Sequence, residues 1–260
     1  MTSSPLLAER FGAVELWTLN LPDRRNVLTD ESLIVGLEAA VARANADPAL
    51  GCIVITGAGS TFSAGGDLKE LAQTAADASI TGYQISQQHH RGIQRLARAI
   101  DSCELPVVAA VNGPAVGAGC DLAVMCDLRI ASSKAFFAAS FVKLGLVPGD
   151  GGVWFLARAV GAARAAQMVF TGERIDAETA LGWGLVSEVV EPDRLPDAAL
   201  DLAQRIGSSP SPALRMSKQL LRSAGSVDLQ HVLSFSAAAQ ALAQGTPQHR
   251  EAIDAIGRQR

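Results

Sequence analysis

Two short stretches of this chain, "FSAGGDLKE" (62–70) and "NGPAVGAGCD" (112–121), share one arrangement: an apolar run ends, small residues follow, and a helical pattern begins. In the first, Gly65 and Gly66 stand directly before Asp67; in the second, Gly117, Ala118 and Gly119 leave the backbone bare. Backbone N–H groups at a helix start are unpaired and partly positive, so each turn offers a place to hold an anion. Two such turns aimed at one point would make an oxyanion hole, whose donors stabilise charge developing in a transition state by several kcal/mol. The alternative is a pair of ordinary tight turns. A third glycine turn, "PGDGG" (148–152), carries Asp150 shortly before another helical pattern, where an aspartate can cap the helix.

The elements that must position these turns follow from periodicity. "AVELWTLNLP" (13–22) alternates apolar and polar residues, as a half-buried strand does. From about Thr29 to Asn45, apolar residues at 33, 34, 37, 40 and 41 have helical spacing, and "GCIVIT" (51–56) is a continuous apolar run suited to a strand covered on both faces. One long helix is expected between about Tyr83 and Ser102. "PVVAAVNGPAVGAGCDLAVMCDLRIAS" reads as strand, glycine turn, short helix and strand. This alternation through the first 190 residues argues for stacked βα units, which place such turns along one edge. We expect a core over residues 1–195 and a helical layer over 196–260, with "GSSPSP" (207–212) as the hinge. Trp154 and Trp183 read as core.

Bulk properties exclude several classes. A chain of 260 residues, 48% hydrophobic and 18% charged, can bury a large core. Its net charge of −4 gives no reason to expect nucleic acid or anionic membrane as a partner. No apolar run suits a membrane span, and "MTSSPLLAER" lacks the basic start and long apolar segment of a secretory signal. Cys52, Cys103, Cys120 and Cys126 form no CxxC pair and no zinc spacing, and read as small buried hydrophobes in a reducing, cytoplasmic setting. His89 and His90 have no partners at metal-ligand spacing, and His231 and His249 read as surface or interface residues. There is no GxSxG elbow and no phosphate-binding P-loop.

"FSAGGDLKE", "AVNGPAVGAGCDLAVMCDLRIAS" and "GLVPGDGGVWFLARAVG", with "LNLPDRRNVLTDE" before them and "ALGWGLVSEVV" after, resemble the crotonase (enoyl-CoA hydratase/isomerase) family, in order over nearly the whole chain. The resemblance implies an α/β fold, the ββα superhelix of that family, with a helical C-terminal layer supporting a homotrimer or dimer of trimers. It implies an acyl-CoA thioester substrate, with coenzyme A entering as part of the substrate and no other cofactor or metal. By position, Gly66 and Ala118 would supply the two oxyanion amides, Gly66 lacking a side chain so that its N–H can touch the thioester oxygen. Ala64 and Lys69 would border the adenine and phosphates, Leu68 the acyl-pantetheine channel, and Asp67 would support the Gly65–Gly66 turn. Arg24 and Arg25 sit where basic residues approach the CoA phosphates.

Hydratases of the family carry two glutamates. The first position falls on Asp121, a carboxylate one methylene shorter, for which a solvated first-turn acid is the alternative. The second falls on Phe141, which cannot transfer a proton, and Asp150 is the available substitute. The resemblance therefore implies hydration of a 2-enoyl-CoA, with double-bond isomerisation by a single carboxylate as the alternative. A non-catalytic acyl-CoA-binding scaffold is the reading from another class. A serine hydrolase using Ser63 would need a partnering histidine, and no matching motif supplies one.

Overall fold

The computed structural model describes residues 4–258. The first three residues of the N-terminal stretch assessed above, and the last two of the 196–260 layer, lie outside the described residues. The chain opens with a hairpin, β1 (Leu6–Phe11) antiparallel to β2 (Val14–Leu19), and β2 then pairs in parallel with β3 (Cys52–Gly57). Parallel strands β4 (Val107–Val111), β6 (Leu128–Ser132) and β9 (Glu188–Val190) complete a six-stranded sheet of order β1-β2-β3-β4-β6-β9. A small second sheet joins β5 (Ala115–Val116), β7 (Phe136–Ala138) and β8 (Ile175–Asp176).

The apolar runs behave as parallel strands should, because both faces of the large sheet are covered. On one face, Ile53, Ile55, Val107 and Ala109 join the main core with α1 (Glu31–Ala46) and α4 (Gln94–Ser102). On the other, Cys52, Val54, Val108, Ala110 and Ile130 pack against Leu195, Ala199 and Ala203 of α9 (Leu195–Gly207). Each fully buried Ile or Leu contributes about 1.5–3 kcal/mol. Helix α1 starts where Asp30 accepts a hydrogen bond from the Ser32 N–H.

Between the strands lie α2 (Leu68–Ala76), α3 (Gly82–Arg91), α5 (Ala118–Met125), α6 (Gly152–Val160), α7 (Ala162–Thr171) and α8 (Ala177–Gly182). After α9 come α10 (Ser211–Ser223), α11 (Leu229–Gln244) and α12 (Pro247–Arg258). Helix α10 is tied to the core by charge. Lys218 is buried and donates to the Leu105 carbonyl at 2.6 Å and to Asp127 at 2.7 Å, while Arg215 reaches the carbonyls of Asn45 and Asp47.

Two expectations are corrected. The helix expected over 83–102 is two helices, because Gly92 leaves helical geometry and its N–H closes α3 on the Gln88 carbonyl. The apolar pattern belongs to α4 alone: Leu96, Ala99 and Ile100 are buried there, whereas α3 buries nothing. Trp154 is not core. It is 43% exposed, with the Arg158 guanidinium stacked 3.6 Å from its ring centre, and the fully buried tryptophan is Trp17. Trp183 is half-buried.

Candidate active site

The two glycine turns meet. Ser63 donates its N–H to the Pro114 carbonyl, Val116 donates to the Ser63 carbonyl, and Ser63 bridges Ala115 in parallel. Gly65 fixes the junction: with φ of +84°, a Cβ there would fall 2.4 Å from the Val116 carbonyl oxygen and 2.9 Å from the Ala118 nitrogen. Only glycine satisfies both the conformation and the approach. This refines the reading of Gly66, where an added Cβ would make ordinary contacts with Thr29 and Leu71; the glycine the fold itself requires is Gly65. Neither the Gly66 nor the Ala118 N–H donates to a protein acceptor among the described residues. Two free amides thus stand on adjoining turns, Ala118 at the start of α5.

Helix α5 is buried along its whole length, so Asp121 is no solvated acid; it is 2% exposed, and its Oδ2 has no hydrogen-bond partner. The start of α6 lies against it so closely that a Cβ on Gly152 would fall 1.9 Å from the carboxyl carbon. Burial pushes the Asp121 carboxyl well above the ordinary carboxylate range, the charge of Asp150 pushes it further, and the Gly152 amide pulls in the opposite sense. Asp150 is 7% exposed and does not cap α6, whose cap position is Gly151 with no side-chain bond. Burial raises the Asp150 carboxyl too, while His89 acts to lower it. The structure therefore brings together the two free amides and two buried carboxyls, both raised by burial. That set can hold an enolate oxygen and move protons at neighbouring carbons.

The family model for enoyl-CoA hydratase/isomerase matches residues 9–256. The chain belongs to the enoyl-CoA hydratase/isomerase family. It is 42% identical to a probable enoyl-CoA hydratase of Mycobacterium tuberculosis over 240 residues, 88% of each chain. It is 35% identical to the 1,2-epoxyphenylacetyl-CoA isomerase of Escherichia coli, covering 92% of this chain and 90% of that protein. A solved enoyl-CoA hydratase from Bacillus anthracis superposes with a TM-score of 0.90 at 29% identity, covering 98% of this chain and 97% of that one. The fold is accordingly the crotonase α/β fold, and the protein is an acyl-CoA enzyme of the lyase/isomerase type.

On this crotonase scaffold, the residues expected to border CoA gather at one flank. Ala64 donates its N–H to the Arg25 carbonyl at 2.9 Å, which joins two of them through backbone. Asp67 caps α2 by accepting from the Lys69 N–H at 2.8 Å. Its carboxylate is held below the ordinary range by Arg24 and then by that amide. Leu68 and Lys69 are exposed on the first turn of α2. Arg24 is engaged by Asp30, by Asp67 at 3.0 Å and by Glu70 at 3.6 Å, which leaves exposed Arg25 as the more available cation of the two.

Phe141 is half-buried, and its ring edge comes within 3.9 Å of where a Gly117 Cβ would sit, so it walls the site beside the Ala118 amide. Ser63 is fully buried and donates its hydroxyl to the Asn26 carbonyl at 2.7 Å while accepting from the Gly65 N–H at 3.0 Å, so it serves the turn. Asn26 is the residue that sequence reasoning missed. Fully buried at φ of +54°, it donates to the Thr61 carbonyl at 2.8 Å and accepts from the Leu21 N–H, locking the Arg25 loop to the glycine turn. The turn signal "DRRN" held a clue, since asparagine tolerates that conformation. The four cysteines are free and buried, and burial pushes the Cys52 and Cys126 thiols up to about 12. Among the described residues no cluster is placed to hold a metal ion, and no helix is long and apolar enough to cross a membrane.

Proposed function

We propose that this enzyme adds water to a 2-enoyl-CoA thioester, with the amides of Gly66 and Ala118 holding the enolate oxygen and Asp121 and Asp150 dividing the proton transfers. The observation that carries this reading is the pair of buried carboxyls, Asp121 and Asp150, beside the two free amides. In its ionised form Asp150 takes a proton from water as the water oxygen bonds to the β-carbon. The π electrons move onto the thioester oxygen, and Asp121, kept neutral by burial, delivers its proton to the α-carbon. Asp150 is then protonated and Asp121 ionised, and one proton returning between them restores the starting state. Ala64, Arg25, Leu68 and Lys69 would line the CoA path, Asp67 holding their helix in place; no further cofactor enters this scheme.

One observation favours a second reading. The Phe141 ring beside Gly117 is apolar and can transfer no proton, which suits a double-bond shift by a single carboxylate. Incubation with crotonyl-CoA and a 3-enoyl-CoA in heavy-oxygen water separates the two. Label in a 3-hydroxyacyl-CoA, lost in Asp121→Asn, supports hydration; migration of the double bond without label overturns it. Binding of both esters with no change in either points to a different acyl group.

Exposed Leu229, Leu233 and Leu242 on α11, with Ile253 and Ile256 on α12, support residues 196–260 as an oligomerisation layer, a homotrimer or dimer of trimers. Four unpaired thiols support a cytoplasmic location.

A further inference from the structure

His89 has no part in the hydration scheme, yet it touches the turn that carries Asp150. Its Nδ1–H donates to the Ile85 carbonyl at 3.2 Å, one turn back on α3, which orients the ring. The opposite edge faces the 148–151 turn: a Cβ on Gly149 would lie 3.3 Å from the His89 Cδ2 and 3.6 Å from its Nε2. From α4, Gln94 donates to the Gly149 carbonyl at 2.8 Å, and Ala97 lies against Gly151. Helices α3 and α4 thus clamp this turn with one titratable side chain and two neutral ones.

We infer that His89 is a positioning residue for the reaction, bracing the Gly149–Asp150 turn and presenting a cation to the second carboxylate. This rests on the role given to Asp150 above. The charged groups acting on Asp150 among the described residues are His89 from α3 and Asp121 from α5. On its own helix His89 is followed by His90 and Arg91, and Arg98 of α4 reaches back to the His90 carbonyl. Imidazolium favours the ionised form of Asp150, the form that accepts a proton from water, and so holds it apart from its neutral partner Asp121. His89 is exposed, so salt screens its charge at Asp150.

The test is a carbon-13 NMR titration of the Asp150 carboxyl in the wild type, His89→Gln and His89→Lys, with Asp150→Asn supplying the assignment. The inference predicts that Asp150 titrates at higher pH in His89→Gln, that His89→Lys returns it to the wild-type position or below, and that molar salt erases the difference. An unmoved titration in His89→Gln overturns it, as does an equal displacement in both variants, the mark of a purely structural brace. Turnover of Asp150→Asn judges the underlying role separately. Wild-type kcat in that variant removes Asp150 from the mechanism and the inference with it; loss of turnover together with an unmoved titration removes the inference alone.

Discussion

The junction of the two glycine turns and the flank formed by α2 and α3 border the same site, and they are built in opposite ways. Around Ser63, Gly65, Ala118 and Asp121 nearly everything is buried, and the turns are cross-bonded through backbone. Helices α2 and α3 bury no residue at all; they are held by caps, Asp67 on α2 and a reciprocal Thr81–Gln84 capping box on α3. The chemistry is thus fixed by the core, where small displacements are opposed on every side. The flank of α2 and α3 is a surface feature, stabilised locally and open to change without disturbing the amides.

Substitutions in the two regions sharpen or break this contrast. The largest effect is expected from Gly152→Ala, whose new methyl occupies the space of the Asp121 carboxyl. Steady-state kinetics should show kcat falling by about 10²–10⁴-fold, the usual contribution of one positioned acid or base. Activity near wild type would mean that Asp121 need not stay where it is. Gly65→Ala comes next. Strain at positive φ costs on the order of 1–3 kcal/mol, and the contact with the Val116 carbonyl adds to it, so denaturant unfolding should reveal a clear loss of stability.

Asp121→Asn is expected to stabilise the fold while removing activity. Because the folded-state carboxyl sits above its ordinary value, wild-type stability is fully present below that value and is lost as pH rises through the raised one. The variant's advantage in Tm should therefore be absent in strong acid and grow toward neutral and alkaline pH; the opposite trend would contradict the burial argument. The smallest effect belongs to the flank. Thr81→Ala removes a cap worth about 0.5–1 kcal/mol. It should speed amide hydrogen exchange within α3 and leave the protection of β3 and β4 unchanged. A kcat loss matching that of Gly152→Ala would erase the distinction between the two regions.

The same division governs what could be read from the residues. The buried strands, α1 and the two glycine turns were legible because continuous apolar runs, helical spacing and clustered glycines each have one dominant cause. Asp121 stood out only through the family resemblance, and its burial was not legible, because a carboxylate in a first helical turn is ordinarily solvated. The break at Gly92 was not legible either, because the polar face of α3 carries no core pattern and the preceding residues join smoothly to α4. That Asp150 is buried rather than capping α6, and that His89 rests on its turn, depends on how α3 meets the 148–151 turn, a contact between segments some 60 residues apart that no local pattern encodes. Trp154 failed for a related reason: helical spacing marks an apolar face without saying whether anything covers it.

The central claim is that Asp121 works at the α-carbon and Asp150 at water. Butyryl-CoA has an α-proton and no group to lose, so exchange of that proton in deuterium oxide, followed by NMR, needs the amides and the α-carbon base but no activated water. The account predicts that, at a pH alkaline enough to ionise buried Asp121, Asp150→Asn still exchanges the proton, although it no longer hydrates crotonyl-CoA, and that Asp121→Asn does neither at any pH. Exchange that survives in Asp121→Asn and disappears in Asp150→Asn would contradict the assignment.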